Sequence, residues 1–404
     1  MTENQKETKG IILWGVGGLY GVRPYAGDDL SVQDGDSAAD KAKAAAKGGC
    51  CKEADTQCAA SKAKAAAGGD TDGMTVCGAN PTRTAKSGAG DGGSADPDGG
   101  KIAAASGTDT RPIILCRARG AFRHEGISPL PGDAVKVICD DDNDTPEAPK
   151  HGVIDDIYPR RTSLVRPALA NLTHLFAVIP AARPAPVLLG ADKLICAADN
   201  AGIEPVIVIT KSELDPDSSR RIEDIYKRSG FAVFALCGDG SRDGELTDYM
   251  AAEARGGLMC AAFAGVSGAG KSTLMSRIFP SLSLKTGELS RKIQRGRHTT
   301  RHAELYPIDI GGAVCFIADT PGFSVMDFSL SSCTEFSQLA YAFREFVPLM
   351  GRCRYTKCTH TSEEGCAVLA KVESGTIPKS RHESYCAMYE ELRRNPPWKK
   401  QRQK

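Results

Sequence analysis

The segment Gly265–Thr273 reads GVSGAGKST and matches G-x-x-x-x-G-K-[ST]. Gly265, Gly268 and Gly270 let the backbone curl until several N–H groups, including those of Val266, Ser267 and Ala269, converge on one phosphate chain. Lys271 adds a cation for the β- and γ-phosphates, the Ser272 hydroxyl suits Mg²⁺, and Thr273 lies in the helical turn that follows. A second element, Asp319-Thr320-Pro321-Gly322, supplies a carboxylate for the magnesium shell and, at Gly322, an N–H able to sense a γ-phosphate. Between the two, His298, Thr299 and Thr300 sit in GRHTTRHAELYPI, where a threonine, assigned here to Thr300, completes the magnesium shell. A third chemistry is separate. Cys353, Cys358, His360 and Cys366 give C-x₄-C-x-H-x₅-C, three thiolates and an imidazole suited to one closed, structural Zn²⁺ site. In so short and polar a segment, metal binding supplies much of the folding energy.

These residues need a scaffold. The apolar run Leu258–Ala264 leads into the phosphate loop, which opens a helix through Thr273–Phe279, and Val314–Ala318 ends at Asp319. Leu175–Ile179, Pro205–Ile209 and Phe231–Leu236 are further short apolar runs, separated by helical stretches at Gly190–Asn200 and Ser218–Ser229. This alternation predicts an α/β layer domain with a parallel sheet. A base-recognising N-K-x-D should follow a buried strand, and none occurs after Asp319-Thr320-Pro321-Gly322. Upstream, Val206–Ile209 runs into Thr210-Lys211-Ser212-Glu213, a weakened version, and Phe231–Leu236 ends at Cys237-Gly238-Asp239, where a base-covering loop belongs. The motif order is therefore permuted.

The N-terminal part differs in composition. From Ala26 to Thr110 there is no Phe, Tyr or Trp, so residues 26–110 are predicted to be a disordered insertion with too little apolar surface to offset ordering entropy. Its Cys50, Cys51, Cys58 and Cys77 read either as incidental thiols or as a second metal site. Without the insertion, Gly10–Val22 joins Ile113–Phe122, Gly132–Asp140 and His151–Tyr158 in a series of short strands that predicts a small closed barrel, an OB-fold. Arg117, Arg119, Arg123, Arg160, Arg161 and Arg166 enrich it in guanidinium, as a solvated face or as a phosphate-contacting one. After Phe328, two apolar stripes at helical spacing (Phe336, Leu339, Ala340, Phe343, Phe346, Val347; then Tyr385, Met388, Tyr389, Leu392) predict two amphipathic packing helices. The basic tail Arg393–Lys404 reads as a solvated end or an RNA contact. The expected domains are 1–163, 164–328 and 329–404, the last a small α-helical metal-binding unit.

Bulk composition narrows the partners. Lys and Arg total 51 against 50 Asp and Glu, so there is no uniformly basic shell and any nucleic-acid surface must be local. No run of about 18 apolar residues predicts a membrane span. The start MTENQKETKG lacks a secretory layout, and fifteen cysteines, an odd number, point to reduced thiols in the cytoplasm rather than a disulfide scaffold.

Taken together, CRARGAFRHEGISPLPGDAV, GIEPVIVITKSELD, GVSGAGKST, GRHTTRHAELYP, DTPGF and the cysteine cluster resemble the ribosome small subunit-dependent GTPase A family (RsgA/YjeQ), the circularly permuted GTPases. The likeness covers nearly everything outside the insertion. It implies an OB-fold, a permuted GTPase domain and a zinc domain, with Mg²⁺·GTP bound, GDP released and no membrane role. It also implies that a monomer binds the small ribosomal subunit and its rRNA late in maturation, with hydrolysis timed by the subunit.

Two departures matter. Thr210 stands where the family has Asn, which predicts loss of a loop-bracing amide. Glu213 stands where it has Asp, one methylene longer beside guanine. Together they predict GTP binding with relaxed selectivity. Phe323 occupies the place of a water-orienting Gln, so intrinsic turnover should be slow, and His298 is the candidate for positioning water. The alternative reading is an RNA-binding assembly factor whose nucleotide site is degenerate and mainly structural.

Overall fold

The computed structural model describes residues 5–25, 112–124, 126–140, 151–165, 168–280, 282, 303–319 and 338–394. All of them lie in one of two compact units, 1–39 with 103–404; the other, 40–102, falls outside the described residues, as does the 26–110 insertion with its four cysteines.

The barrel is closed by β1 (Gln5–Val16), β2 (Leu19–Pro24), β3 (Ile114–Ala118), β4 (Ala134–Asp140) and β5 (His151–Ile157), in the order β1-β2-β3-β5-β4, with β4 returning to β1. Only β3 and β5 run parallel. This is the OB arrangement expected. The segment Gly10–Val22, read as one strand-like piece, is a hairpin instead. Gly17 and Gly18 form its two-residue turn at φ 61° and 84°, a mirror-image turn that glycine enters without penalty. Ile12, Val22, Ile114, Cys116, Val135, Val137 and Ile154 fill the interior. The short α1 (Ala121–His124) sits between β3 and β4, and the β6–β7 ribbon (Ser163–Val165, Ala168–Ala170) leads out of the barrel.

The second layer system is a six-stranded sheet. Its strands are β8 (His174–Pro180), β9 (Glu204–Thr210), β10 (Ala232–Ala235), β11 (Met259–Gly265), β12 (Glu304–Ile310) and β13 (Ala313–Asp319), in the order β10-β9-β8-β11-β13-β12. Five strands are parallel and β12 closes the edge antiparallel to β13. β8 and β11 are buried along their whole length, because helices cover both faces, and so read as unbroken apolar runs. The helices are α2 (Leu188–Asn200), α3 (Pro216–Arg228), α4 (Asp243–Gly256) and α5 (Lys271–Ile278). α3 starts where the Asp215 carboxylate accepts the Ser218 N–H at 2.9 Å, with Pro216 in its first turn. Chain order reverses between β8 and β11, so their following loops part and leave a crevice at the sheet's carboxyl edge.

The C-terminal residues form α6 (Ala367–Glu373) and α7 (Lys379–Arg394), which carries the expected stripe Tyr385, Met388, Tyr389 and Leu392. The other stripe is not an α-helix. Two short 3₁₀ turns, Leu339–Ala342 and Val347–Leu349, stand there, and Phe336 lies outside the described residues. Phe343 and Phe346 are fully buried, stacked 5.1 Å apart and edge-on to Tyr385, while Val347 is exposed. The intervening charges hold the chain in this shape: Arg344 forks onto Asp199 and Glu204, and Glu345 meets Arg381. These turns and α7 share one core with α2 and one face of the sheet; the barrel residues Ile11, Leu13 and Tyr25 join it. Among the described residues, no helix is long and apolar enough to cross a membrane.

Candidate nucleotide site and metal centre

β11 delivers the phosphate loop beside β8. At Gly265 a side chain has no room, since a Cβ would stand 2.3 Å from the Val178 carbonyl oxygen. Gly268 and Gly270 adopt φ 77° and 93°, left-handed turns that curl the loop, and the Ala269 N–H, expected to face phosphate, instead donates to Val266 O at 3.2 Å. Ala269 is buried, Ser267 is exposed, and Gly270 caps α5, so Lys271, Ser272 and Thr273 occupy its first turn. Lys271 Nζ reaches back to the carbonyls of Gly265 at 2.8 Å and Val266 at 2.9 Å. Burial lowers its pKa, so the ammonium is under-solvated and stands to gain from an arriving phosphate.

The element at 210 folds against this loop. Thr210, at the end of β9, is buried and donates its hydroxyl hydrogen to Ala269 O at 2.6 Å, across 59 residues of chain. The loss of bracing expected from Thr in place of Asn is therefore corrected: the hydroxyl itself braces the loop. Lys211 adopts φ 57° and its Nζ donates to Gly268 O at 2.8 Å and Arg183 O at 2.5 Å, pinning the segment after β8 to the phosphate loop. Ser212 is buried, takes the Ser219 hydroxyl at 3.0 Å and donates its N–H to Leu236 O at 3.2 Å. Glu213 extends to the loop after β10, where Oε2 accepts the Gly238 N–H at 3.0 Å. The Cys237-Gly238-Asp239 loop thus stands beside Thr210–Glu213.

Ala318 pairs with Ala262, so Asp319 leaves the sheet at the same edge as Gly265. Of its side chain nothing is described, and His298, Thr299, Thr300, Gly322 and Phe323 lie outside the described residues. In the barrel, Arg160 is engaged: it forks onto the fully buried Asp133 at 2.7 and 2.8 Å and donates to Ser128 O. Arg119 pairs with Asp155, and Arg117, Arg119 and Arg161 are all exposed. Side chains of Arg123 and Arg166, and the tail beyond Arg394, lie outside the described residues.

The donor atoms of Cys353, Cys358, His360 and Cys366 all lie within 4.8 Å of one another, a group able to hold a metal ion. His360 Nδ1 is 3.4 Å from Cys353 Sγ and 3.5 Å from Cys366 Sγ, and those two sulfurs are 3.9 Å apart. His360 is held at φ 58° by its surroundings: His382 Nε2 lies 2.8 Å from its carbonyl, and Tyr385 donates to the carbonyl of Thr359 at 2.7 Å. The Glu363 carboxylate gathers the N–H groups of Thr359, Thr361 and Ser362 and a hydroxyl of Thr359, bonds that hold it down to about 2. Burial keeps the imidazole below its ordinary pKa, hence neutral and ready to ligate, and pushes the Cys358 thiol up to about 12. A metal must therefore displace protons from sulfur.

Comparison with known proteins agrees with this geometry. A family model described as RsgA GTPase matches residues 157–329, and one described as RsgA N-terminal domain matches 108–145. The small ribosomal subunit biogenesis GTPase RsgA of Moorella thermoacetica is 41% identical over 280 residues, 69% of this chain and 90% of that protein. Its counterpart in Ruminiclostridium cellulolyticum is 36% identical over 291 residues, 72% of this chain and 90% of that one. Among solved structures, YjeQ from Thermotoga maritima aligns at TM-score 0.60 and 23% identity, covering 96% of this chain and 99% of that chain. YloQ, a circularly permuted GTPase, aligns at 0.60 and 22%, covering 98% and 99%. With the base element ahead of the phosphate loop in the chain and against it in space, this protein belongs to the RsgA family of circularly permuted GTPases.

Proposed function

We propose that this chain binds GTP, docks on the small ribosomal subunit during its late maturation, and hydrolyses GTP to GDP and phosphate under stimulation by that subunit. The observation that carries the reading is the joining of Thr210 and Lys211 to Ala269 and Gly268, which brings two distant stretches together where a purine and its phosphates are proposed to bind. Gly265–Thr273 hold the phosphates and Thr210–Glu213 the base. Ser272, Thr300 and Asp319 hold magnesium, which when bound offsets charge on the β- and γ-phosphate oxygens. Thr299, Thr300 and Gly322 register the γ-phosphate, and His298 orients the attacking water.

The four-residue cluster fits zinc. Bond lengths of about 2.3 Å to sulfur and 2.0–2.1 Å to nitrogen place tetrahedral donors roughly 3.8 Å apart for sulfur pairs and roughly 3.5 Å for sulfur and nitrogen. The separations of 3.9 Å and 3.4–3.5 Å among Cys353, His360 and Cys366 match this, Cys358 lies within 4.8 Å of each, and four protein donors would leave no position open. The ion is therefore structural. Three functional parts follow, 1–163, 164–328 and 329–404, acting as a cytoplasmic monomer; Arg117 and Arg161 on the barrel and the basic tail are the groups assigned to rRNA.

The test is phosphate release by the full-length protein with and without purified small subunits. Stimulation of at least tenfold, abolished by Lys271→Ala, is expected. Equal rates with and without subunits, or release insensitive to Lys271→Ala, overturn the reading in favour of a mainly structural nucleotide site.

A further inference from the structure

Gly238 is held from two directions, by residues from the two halves of the nucleotide site. Its N–H donates to Glu213 Oε2 at 3.0 Å, and its carbonyl accepts from Arg277 Nη1 at 2.8 Å. Arg277 lies on α5, the helix that opens with Lys271, and its remaining nitrogens fork onto Asp243, with Nη2 2.7 Å from Oδ1. Asp243 stands in the first turn of α4, immediately after the base loop. The space is close: a Cβ at Gly238 would stand 2.9 Å from Glu213 Oε1, and one at Gly240 would stand 3.3 Å from Arg277 Cδ.

We infer that Arg277 is a specificity-determining positioning residue: by holding the Gly238 carbonyl it restrains the backbone dihedrals of Gly238, and with them the N–H that aims the Glu213 carboxylate at guanine. Glu213 is longer than an aspartate by one methylene, and a free glutamate would spread over several rotamers. A single N–H on Oε2 removes that freedom and uses one of about four lone-pair sites, leaving acceptors for guanine N1–H and the exocyclic amine. Arg277 suits the task through its fork. One planar guanidinium serves a carboxylate and a carbonyl together, which a lysine ammonium does not reproduce in fixed geometry. The phosphate helix and the base-reading carboxylate are thereby tied through one residue, Gly238, whose two flanking peptide groups are each held by a hydrogen bond.

This inference rests on the reading that Glu213 contacts guanine, and the experiment separates the two. Affinities for GTP and for ITP, which lacks the exocyclic amine, are measured by competition on full-length wild type, Arg277→Lys, Arg277→Ala and Gly238→Ala. Wild type should prefer GTP. Each variant should lower the GTP-to-ITP ratio about five- to tenfold, the loss of one oriented hydrogen bond, with ITP affinity changed less than about twofold. Arg277→Lys and Gly238→Ala keep the test decisive if the alanine variant fails to fold. An unchanged ratio in those two, or equal losses for both nucleotides, overturns the role of Arg277 alone. A wild-type ratio of one overturns the guanine reading of Glu213, and the inference falls with it.

Discussion

Removing the Arg381 guanidinium should destabilise the protein more than any surface substitution, and the structure sets the size. Arg381 is fully buried on α7, with Nη1 2.6 Å from Asp192 Oδ1 and Nε 2.7 Å from Glu345 Oε1; both carboxylates are themselves almost completely buried. Its cation also lies over the Phe343 ring, 4.5 Å from the centroid. At an effective dielectric of about 20, each charge pair is worth about 4 kcal/mol, offset by several kcal/mol of desolvation per ion, so the intact triad is near break-even. Arg381→Met leaves the desolvation and removes the attraction. Asp192 Oδ1 then keeps only the Tyr226 hydroxyl at 2.9 Å, and its Oδ2 already has no partner. The expected cost is about 3–5 kcal/mol, read as a fall of about 1 M in the urea midpoint. Two orphaned carboxylates in an apolar site take up protons more readily than in the unfolded chain, so their folded pKa values rise. The deficit should then shrink as pH falls toward the ordinary carboxylate range and grow above it. Arg381→Met combined with Asp192→Leu and Glu345→Leu should recover most of the loss. A single variant costing less than about 1 kcal/mol, or a deficit independent of pH, refutes the reasoning.

Thr210→Val keeps the shape but leaves Ala269 O without its donor, and should weaken GTP binding about five- to tenfold in equilibrium titration. His174 is buried at the start of β8 and burial lowers its pKa below the ordinary value, opposed by Glu253 and Glu204. The unfolded chain then binds the extra proton, so this contribution is complete above about pH 6.5 and is lost as pH falls through the depressed folded value; His174→Gln should flatten the stability profile there. Chelation should expose the segment from Cys353 to Cys366 to protease while GTP affinity changes less than about threefold, because its described partners lie in the C-terminal part.

The phosphate loop was legible in the sequence because strand, glycines, lysine and helix are contiguous, and each step is a local rule. The permutation was legible from motif order. What escaped depends on contacts between residues distant in the chain. The Thr210 hydroxyl finds its acceptor 59 residues away, and Arg277, a half-buried basic residue in the last turn of a short helix, meets its carbonyl 39 residues back. The stripe from Leu339 to Val347 has helical spacing, yet burial of Phe343 and Phe346 against Tyr385 needs only that both rings face one way. Arg344 and Glu345 draw the backbone between them out of an α-helix. In the barrel, composition counts guanidinium groups alike, whereas a buried acid such as Asp133 claims one of them, Arg160, for structure.

The same contacts locate the C-terminal part relative to the chemistry. A metal domain that starts soon after Asp319 suggests coupling through the connecting segment 320–337, which lies outside the described residues. The described contacts run elsewhere. Lys193 meets Glu391, Arg381 meets Asp192, the Cys196 thiol donates to Ala342 O, and Arg344 spans Asp199 and Glu204. Every one of these partners lies on α2 or at the start of β9. α2 follows directly on the segment whose Arg183 carbonyl is pinned by Lys211 at the phosphate loop. The metal-binding part is thus seated on α2 and the start of β9, by a buried ion triad and an aromatic cluster that resist sliding. Such a seat is rigid, whereas a loosely attached part would average out any displacement begun elsewhere in the chain.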